Sequence, residues 1–131
     1  MTNNECIFCK IVLGKLPSFK VYEDGKYLAF LDRFPETEAM TIIVPKKHMP
    51  GYFVDVENEV LTDLITIGKK LAKIIDSKMP NILRTTVLFE GLDVDHIHMK
   101  LKPAYKGKFV GNPKLDVTLE DLEKVHKMLT E

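Results

Sequence analysis

Hydrophobic and polar positions recur with two different periods along this chain, and the change of period divides it into elements. From Glu57 to Lys78, Val60, Leu61, Leu64, Ile65, Ile67, Leu71, Ile74 and Ile75 return every three or four residues with polar residues between them. That spacing predicts one long helix with a wide apolar stripe, ended by Pro80. CIFCKIVL, Cys6 to Leu13, predicts a short helix closed by Gly14 and Pro17. In SFKVYEDGKYLAFLD, two strand-like runs flank Asp24-Gly25, a hairpin signal. MTIIVP, Met40 to Pro45, is a β-branched run stopped by a proline, and RTTVLFEG, Arg84 to Gly91, predicts a further strand. DHIHMKLKP, Asp95 to Pro103, alternates strictly and predicts another. Tyr105 to Val117, with Gly107, Gly111 and Pro113, reads as a loop. Thr118 opens a last helix, with Asp121 where a capping box usually has Glu or Gln. The order of elements predicts an α+β fold: a mainly antiparallel sheet with one long helix packed on it. The whole of 1–131 is expected to form a single domain, with 106–131 a C-terminal loop and helix extension.

Alternation gives DHIHMKLKP two unlike faces. His96, His98, Lys100 and Lys102 share one, and Ile97, Met99 and Leu101 share the other. The second face reads as core. The first suits an anion or a metal ion. Lys100 and Lys102 are also what an edge strand needs to resist aggregation, but that does not account for two of the chain's four histidines falling on one face.

Length and charge narrow the classes. A chain of 131 residues with 45% hydrophobic and 29% charged side chains suits one soluble domain with a real core. The 19 basic and 19 acidic residues balance, and no basic run suggests a nucleic-acid polymer as partner. No apolar run would span a bilayer, and MTNNECIFCK lacks the pattern of a signal peptide. A cytoplasmic location is the expectation. Cys6 and Cys9, the only cysteines, form a C-x-x-C, which in a reducing compartment points to a metal or a redox pair before a structural disulfide.

Three groups carry candidate chemistry. Cys6 and Cys9 with His48 and His96 would complete a Cys₂His₂ set, assembled by the fold because the spacing fits no zinc-finger pattern. Taken singly, the cysteines read as packing and His48 as a solvated loop residue. His126 follows the periodicity of the last helix and reads as surface. His98, on the same face as His96, is a candidate nucleophile toward phosphorus, with Lys100 to neutralise phosphate charge. Gly91 and the short loop to Asp95 could bring backbone N–H groups to an anion. Asp32, at the end of YLAFLD, reads either as a turn residue or as a carboxylate that accepts hydrogen bonds from ribose hydroxyls.

CIFCKI, KVYEDGKYLAFLD, TIIVPKKH and an H-x-H followed by a proline, in that order over about four-fifths of the chain, resemble the histidine triad (HIT) family. The resemblance implies a five-stranded antiparallel sheet, a homodimer, and a nucleotide hydrolase or nucleotidyltransferase. It implies attack at the α-phosphorus of a nucleoside phosphoramidate or dinucleoside polyphosphate, through a nucleotidyl-histidine intermediate. His96 takes the first triad place and His98 the nucleophile's. In the bacterial branch with C-x-x-C, the resemblance implies a structural Zn²⁺ on Cys6, Cys9, His48 and His96. Asp32 falls on the ribose-binding acid, and Ile7, Phe8, Ile11, Phe30, Leu31 and Arg33 fall around the base pocket. Lys100 joins them as a nucleotide-binding residue.

The chain departs from the family pattern where phosphate is handled. Lys100 replaces the third triad histidine, Met40 a histidine before the TIIVP strand, and Phe89 an asparagine near a strand end. The loop before the triad is shortened to Gly91-Leu92-Asp93-Val94-Asp95. Removing one transition-state donor costs about 2.7–4 kcal/mol of barrier. Two other expectations therefore stand beside hydrolysis. One is a nucleotide-binding protein with negligible turnover. The other is a zinc-stabilised interaction module whose C-terminal helix docks a partner. A redox role for the two cysteines is the least favoured.

Overall fold

The computed structural model describes residues 5–108 and 116–130. Among these residues, five strands form one antiparallel sheet in the order β1-β2-β3-β5-β4. They are β1 Lys20–Glu23, β2 Tyr27–Leu31, β3 Thr41–Pro45, β4 Ile82–Leu88 and β5 Met99–Tyr105. Three α-helices accompany them: α1 Ile7–Val12, α2 Asn58–Lys78 and α3 Leu119–Thr130.

The β1–β2 turn forms where Asp24-Gly25 predicts it. Asp24 Oδ1 accepts from the amides of Lys26 and Tyr27 at 2.8 and 2.7 Å, so the aspartate side chain closes the turn. The stripe on α2 buries Leu64, Ile67 and Leu71 against the sheet, where they meet Tyr27, Ala29, Ile43, Ile97, Met99 and Leu101. Gly68 on α2 lets the helix come close to β5, since a Cβ there would lie 2.2 Å from the end of Met99. Ile65 and Ile74 depart from the expected stripe, being 47% and 46% exposed on the flank of the helix. The stripe is wider than the sheet it covers.

The other face of the sheet carries Leu28, Phe30, Ile42 and Val44, which pack with Cys6, Phe8 and Cys9 of the N-terminal helix region. Adjacent residues of β2 and β3 thus serve opposite cores, and both faces are covered.

The last strand is shorter at its start than the alternation of DHIHMKLKP predicts. It begins at Met99, and His96 to His98 form an extended lead-in. The two faces persist through that lead-in: Ile97 joins the α2 core, while the rings of His96 and His98 meet Phe8. β4 begins at Ile82, two residues earlier than expected, and ends at Leu88. Of the expected loop from Tyr105 to Val117, residue 105 closes β5 and residues 109–115 lie outside the described residues. Thr118 and Asp121 do form a reciprocal cap on α3. The Thr118 amide donates to Asp121 Oδ2 at 3.0 Å and the Asp121 amide to Thr118 Oγ1 at 3.1 Å. No residue of α3 is buried. No described helix is long and apolar enough to cross a membrane.

Candidate functional site

The C-x-x-C is built by the start of a helix. Cys6 is the N-cap of α1, in extended backbone conformation, and its sulfur accepts from the Cys9 amide at 3.4 Å. This is the capping geometry that Ser or Asp usually supplies. It turns both sulfurs toward the sheet, where both cysteines are buried and form no disulfide. His48 follows β3 by three residues, and His96 lies on the lead-in to β5, fully buried at 0% exposure.

Four ligand atoms converge from these three places. Cys6 Sγ lies 3.3 Å from His96 Nδ1, and Cys9 Sγ lies 3.4 Å from His48 Nδ1 and 3.5 Å from His96 Nδ1. The two Nδ1 atoms are 3.2 Å apart. All four lie within 4.8 Å of one another. A tetrahedron with metal–ligand bonds of about 2.0–2.3 Å has edges of roughly 3.3–3.8 Å, so the cluster could hold such an ion. The chemistry of the donors agrees. His96 Nε2 lies 2.8 Å from the Pro45 carbonyl oxygen, to which it donates its proton, leaving Nδ1 with a lone pair. Burial holds His96 neutral, pushing its pKa down to about 4, and burial pushes the Cys6 thiol up. A cation at the centre would reverse the pressure on the thiols.

His98 stands two residues further on. Its Nδ1 lies 2.8 Å from the His96 carbonyl oxygen and donates to it, so the lone pair is on Nε2. Its ring meets the edge of Phe8 with centroids 4.8 Å apart. Burial is the main cause that lowers its pKa below the ordinary histidine range, and the positive charge of Lys100 lowers it further. The carboxylates of Glu90 and Asp32 act in the opposite sense. Burial and the Lys100 charge thus favour the uncharged ring.

The residues expected around a nucleotide fall into two sets. Phe8 and Phe30 meet at a tilt of 60° with centroids 5.8 Å apart on the His98 side of the sheet, and Ile11 packs against the same core. Ile7 is half exposed beside them. Leu31 follows Phe30 on β2, so its side chain projects from the other face. Arg33 lies over the exposed ring of Phe34 at 5.0 Å. Asp32 holds a turn: its amide donates to the Met40 carbonyl at 2.9 Å, and its Oδ1 accepts from the Phe34 amide at 3.0 Å. Lys100 pairs loosely with Glu90 at 3.5 Å, while Lys102 is held by Glu36 at 2.6 Å. Met40 is buried, and Phe89 packs on the α2 side, near Phe53. A cavity of about 450 Å³ lined by Tyr27, Met49, Val60 and Asp63 also lies on the α2 side, opposite His98.

Sequence reasoning passed over Gly51. It touches the loop before His96 by backbone alone, and no side-chain pattern announces such a contact.

Known proteins resemble this chain in sequence and in fold. The HIT domain profile matches residues 14–107. An adenosine 5'-monophosphoramidase of Saccharomyces cerevisiae is 38% identical over 127 residues, covering 95% of this chain and 80% of that protein. A histidine triad nucleotide-binding protein from Candida albicans superimposes with a TM-score of 0.69 at 34% identity, over 95% of this chain and 94% of its own. A HIT family protein from Bacillus anthracis gives a TM-score of 0.75 at 30% identity, over 98% and 96%.

Proposed function

Because the chain belongs to the HIT family, we propose that it hydrolyses or transfers a nucleotidyl group at the α-phosphorus of a nucleoside phosphoramidate, with dinucleoside polyphosphates as the second candidate substrate class. The family match and the phosphoramidase relatives support a nucleotide hydrolase. The observation that carries the reading is the hydrogen bond from His98 Nδ1 to the His96 carbonyl. It leaves Nε2 of a buried, uncharged imidazole as a free nucleophile.

In this reading, Nε2 attacks the α-phosphorus. The Nε2–P bond forms as the bond to the leaving amine or phosphate breaks, and that group departs with the electron pair. An amine leaving group takes up a proton. Water then attacks the phosphorus, breaks the Nε2–P bond and releases the nucleoside monophosphate, returning His98 to its starting state. Phe8, Phe30 and Ile11 would form the apolar seat of the base, with Ile7 and Arg33 at its margin, while Leu31, on the other face of the sheet, would stand outside it. Asp32 would accept from the ribose hydroxyls. Lys100 would carry charge stabilisation in place of a third histidine, though its ammonium cannot accept a proton as a neutral histidine can.

The Cys6, Cys9, His48 and His96 cluster would hold Zn²⁺ in a structural role, as four protein ligands leave no open position. It would tie α1, and with it Phe8, to the lead-in that carries His98. Occupied thiolates would also leave no dithiol for redox work, and a reducing cytoplasm would keep them competent as ligands.

A homodimer fits the edge of β4, which pairs with no further strand among the described residues. Val87, opposite Leu101 and so on the α2 face, is 52% exposed.

A second reading, a nucleotide-binding protein with negligible turnover, draws on Met40 and Phe89. Neither offers a polar atom to phosphate, and both are packed into the protein. One experiment separates the two: release of adenosine monophosphate from adenosine phosphoramidate and from a diadenosine polyphosphate, with native protein beside His98→Ala. Release by the native protein alone supports hydrolysis. Binding of the monophosphate without release from either compound supports the second reading.

A further inference from the structure

The loop that carries His48 and the loop that carries His96 are fastened to each other by contacts the proposed reaction does not use. The Ile97 amide donates to the Met49 carbonyl at 3.3 Å. The Gly51 amide donates to Asp95 Oδ1 at 2.8 Å. The backbones touch at two points. Gly91 has φ +62°, and a Cβ on it would lie 2.4 Å from the Gly51 carbonyl oxygen. A Cβ on Gly51 would lie 3.0 Å from both Asp95 Cα and the Val94 carbonyl oxygen. At Gly91 the left-handed conformation and the close approach both call for glycine, and at Gly51 a side chain would crowd the Val94–Asp95 backbone.

Asp95 sits at the centre of this contact. It occupies a tight turn in which the His96 amide donates to the Val94 carbonyl at 3.0 Å. Among the described residues its carboxylate is in no ion pair within 4.0 Å. Among those residues its one side-chain hydrogen bond is to the Gly51 amide, three residues past His48. A side chain immediately before one ligand therefore holds the loop of another. From His96 the connection continues through its carbonyl oxygen to the ring of His98.

We infer that Asp95 is a positioning residue: its carboxylate clamps the His48 loop against His96, so that the four ligand atoms converge and the His98 ring is set in one orientation. The inference rests on the metal-binding reading of the cluster and not on hydrolysis. The acceptor oxygen matters here, and the charge does not. Outer hydrogen-bond partners of metal ligands typically contribute roughly 10- to 100-fold in metal affinity.

The test is a cobalt(II) titration of the full chain, reading affinity and the visible ligand-field spectrum, with native protein, Asp95→Ala, Asp95→Asn and Asp95→Glu. Asn keeps an oxygen at the same position, whereas Glu keeps the charge and displaces the oxygen by one methylene. The clamp predicts a roughly 10- to 100-fold loss of affinity and an altered spectrum for Asp95→Ala. It predicts near-native behaviour for Asp95→Asn and a loss for Asp95→Glu. Native affinity and spectrum in Asp95→Ala would overturn the inference. So would a native-like Asp95→Glu beside a weakened Asp95→Asn, which would make the charge responsible. If Asp95→Ala fails to fold, the Asn and Glu variants decide alone. Native protein that takes up no cobalt would remove the metal reading, and the clamp with it.

Discussion

His98 Nδ1 and the carbonyl oxygen of His96 are 2.8 Å apart, and this contact joins a candidate metal ligand to a candidate nucleophile through one stretch of backbone. His96 is itself fixed at both ends of its ring, by the Pro45 carbonyl at Nε2 and by the sulfurs at Nδ1. Whatever orients His96 therefore orients His98. The opening alternation of histidines thus has a physical sense: the first is built to be held, and the second to be free at one nitrogen.

Metal content should follow from this arrangement. The protein as isolated is predicted to carry one zinc per chain by elemental analysis, and His48→Ala or Cys9→Ser should lose most of it. Chelation should lower the melting temperature, because an ion bound only by the folded state stabilises it by mass action. A chain that melts identically with and without chelator would count against a structural metal.

Asp32 can be separated from its turn. Asp32→Asn keeps an oxygen for the Phe34 amide but loses the charge, so the turn should survive. Hydrogen bonds to charged groups are worth about 1.5–3 kcal/mol, which predicts a rise in KM of roughly 10- to 100-fold with a smaller change in kcat. A substrate lacking the ribose hydroxyls should lose affinity with native protein and lose little more with the variant. Equal sensitivity of both proteins to the hydroxyls would take Asp32 out of the ribose contact.

The edge of β4 predicts an assembly. Light scattering should report a dimer for the native chain, and Val87→Glu, which puts a charge on that apolar edge, should give monomers with the fold retained. A Val87→Glu protein that remains dimeric would move the interface elsewhere.

Leu64, at 0% exposure between α2 and the sheet, offers a measure of the core. Leu64→Ala should cost about 2–5 kcal/mol in urea unfolding while leaving metal content unchanged. A loss of metal in that variant would mean that the two cores, on opposite faces of the sheet, are not independent.

Much of this molecule is legible from residue periodicity. The α2 helix, the Asp24 turn and the β-branched run of β3 each carry their own local signal, and each forms where it predicts. The alternation at His96 to Lys102 gives the faces correctly and the strand start wrongly. Side-chain direction depends only on extended backbone, while pairing depends on the partner strand, and β3 reaches only Met99 to Leu101. Ile65 and Ile74 look like core because periodicity reports the width of a stripe and not the width of the surface beneath it. The Cys₂His₂ set can be counted in the sequence, but its convergence needs the fold. The contact of Gly51 with Gly91 and Asp95 has no sequence signature, since Gly51 meets the backbone of one and the backbone and carboxylate of the other across some forty residues.

The central claim is that His98 attacks phosphorus through Nε2. The most direct measurement is mass spectrometry of peptides from native protein mixed with adenosine phosphoramidate and quenched within a single turnover, under alkaline conditions that preserve a phosphorus–nitrogen bond. The account predicts an adenylyl adduct on the peptide that contains His98, decaying as adenosine monophosphate appears, and absent from a folded, metal-bearing His98→Ala protein. Turnover by His98→Ala at the native rate, or an adduct on any other residue, would contradict it.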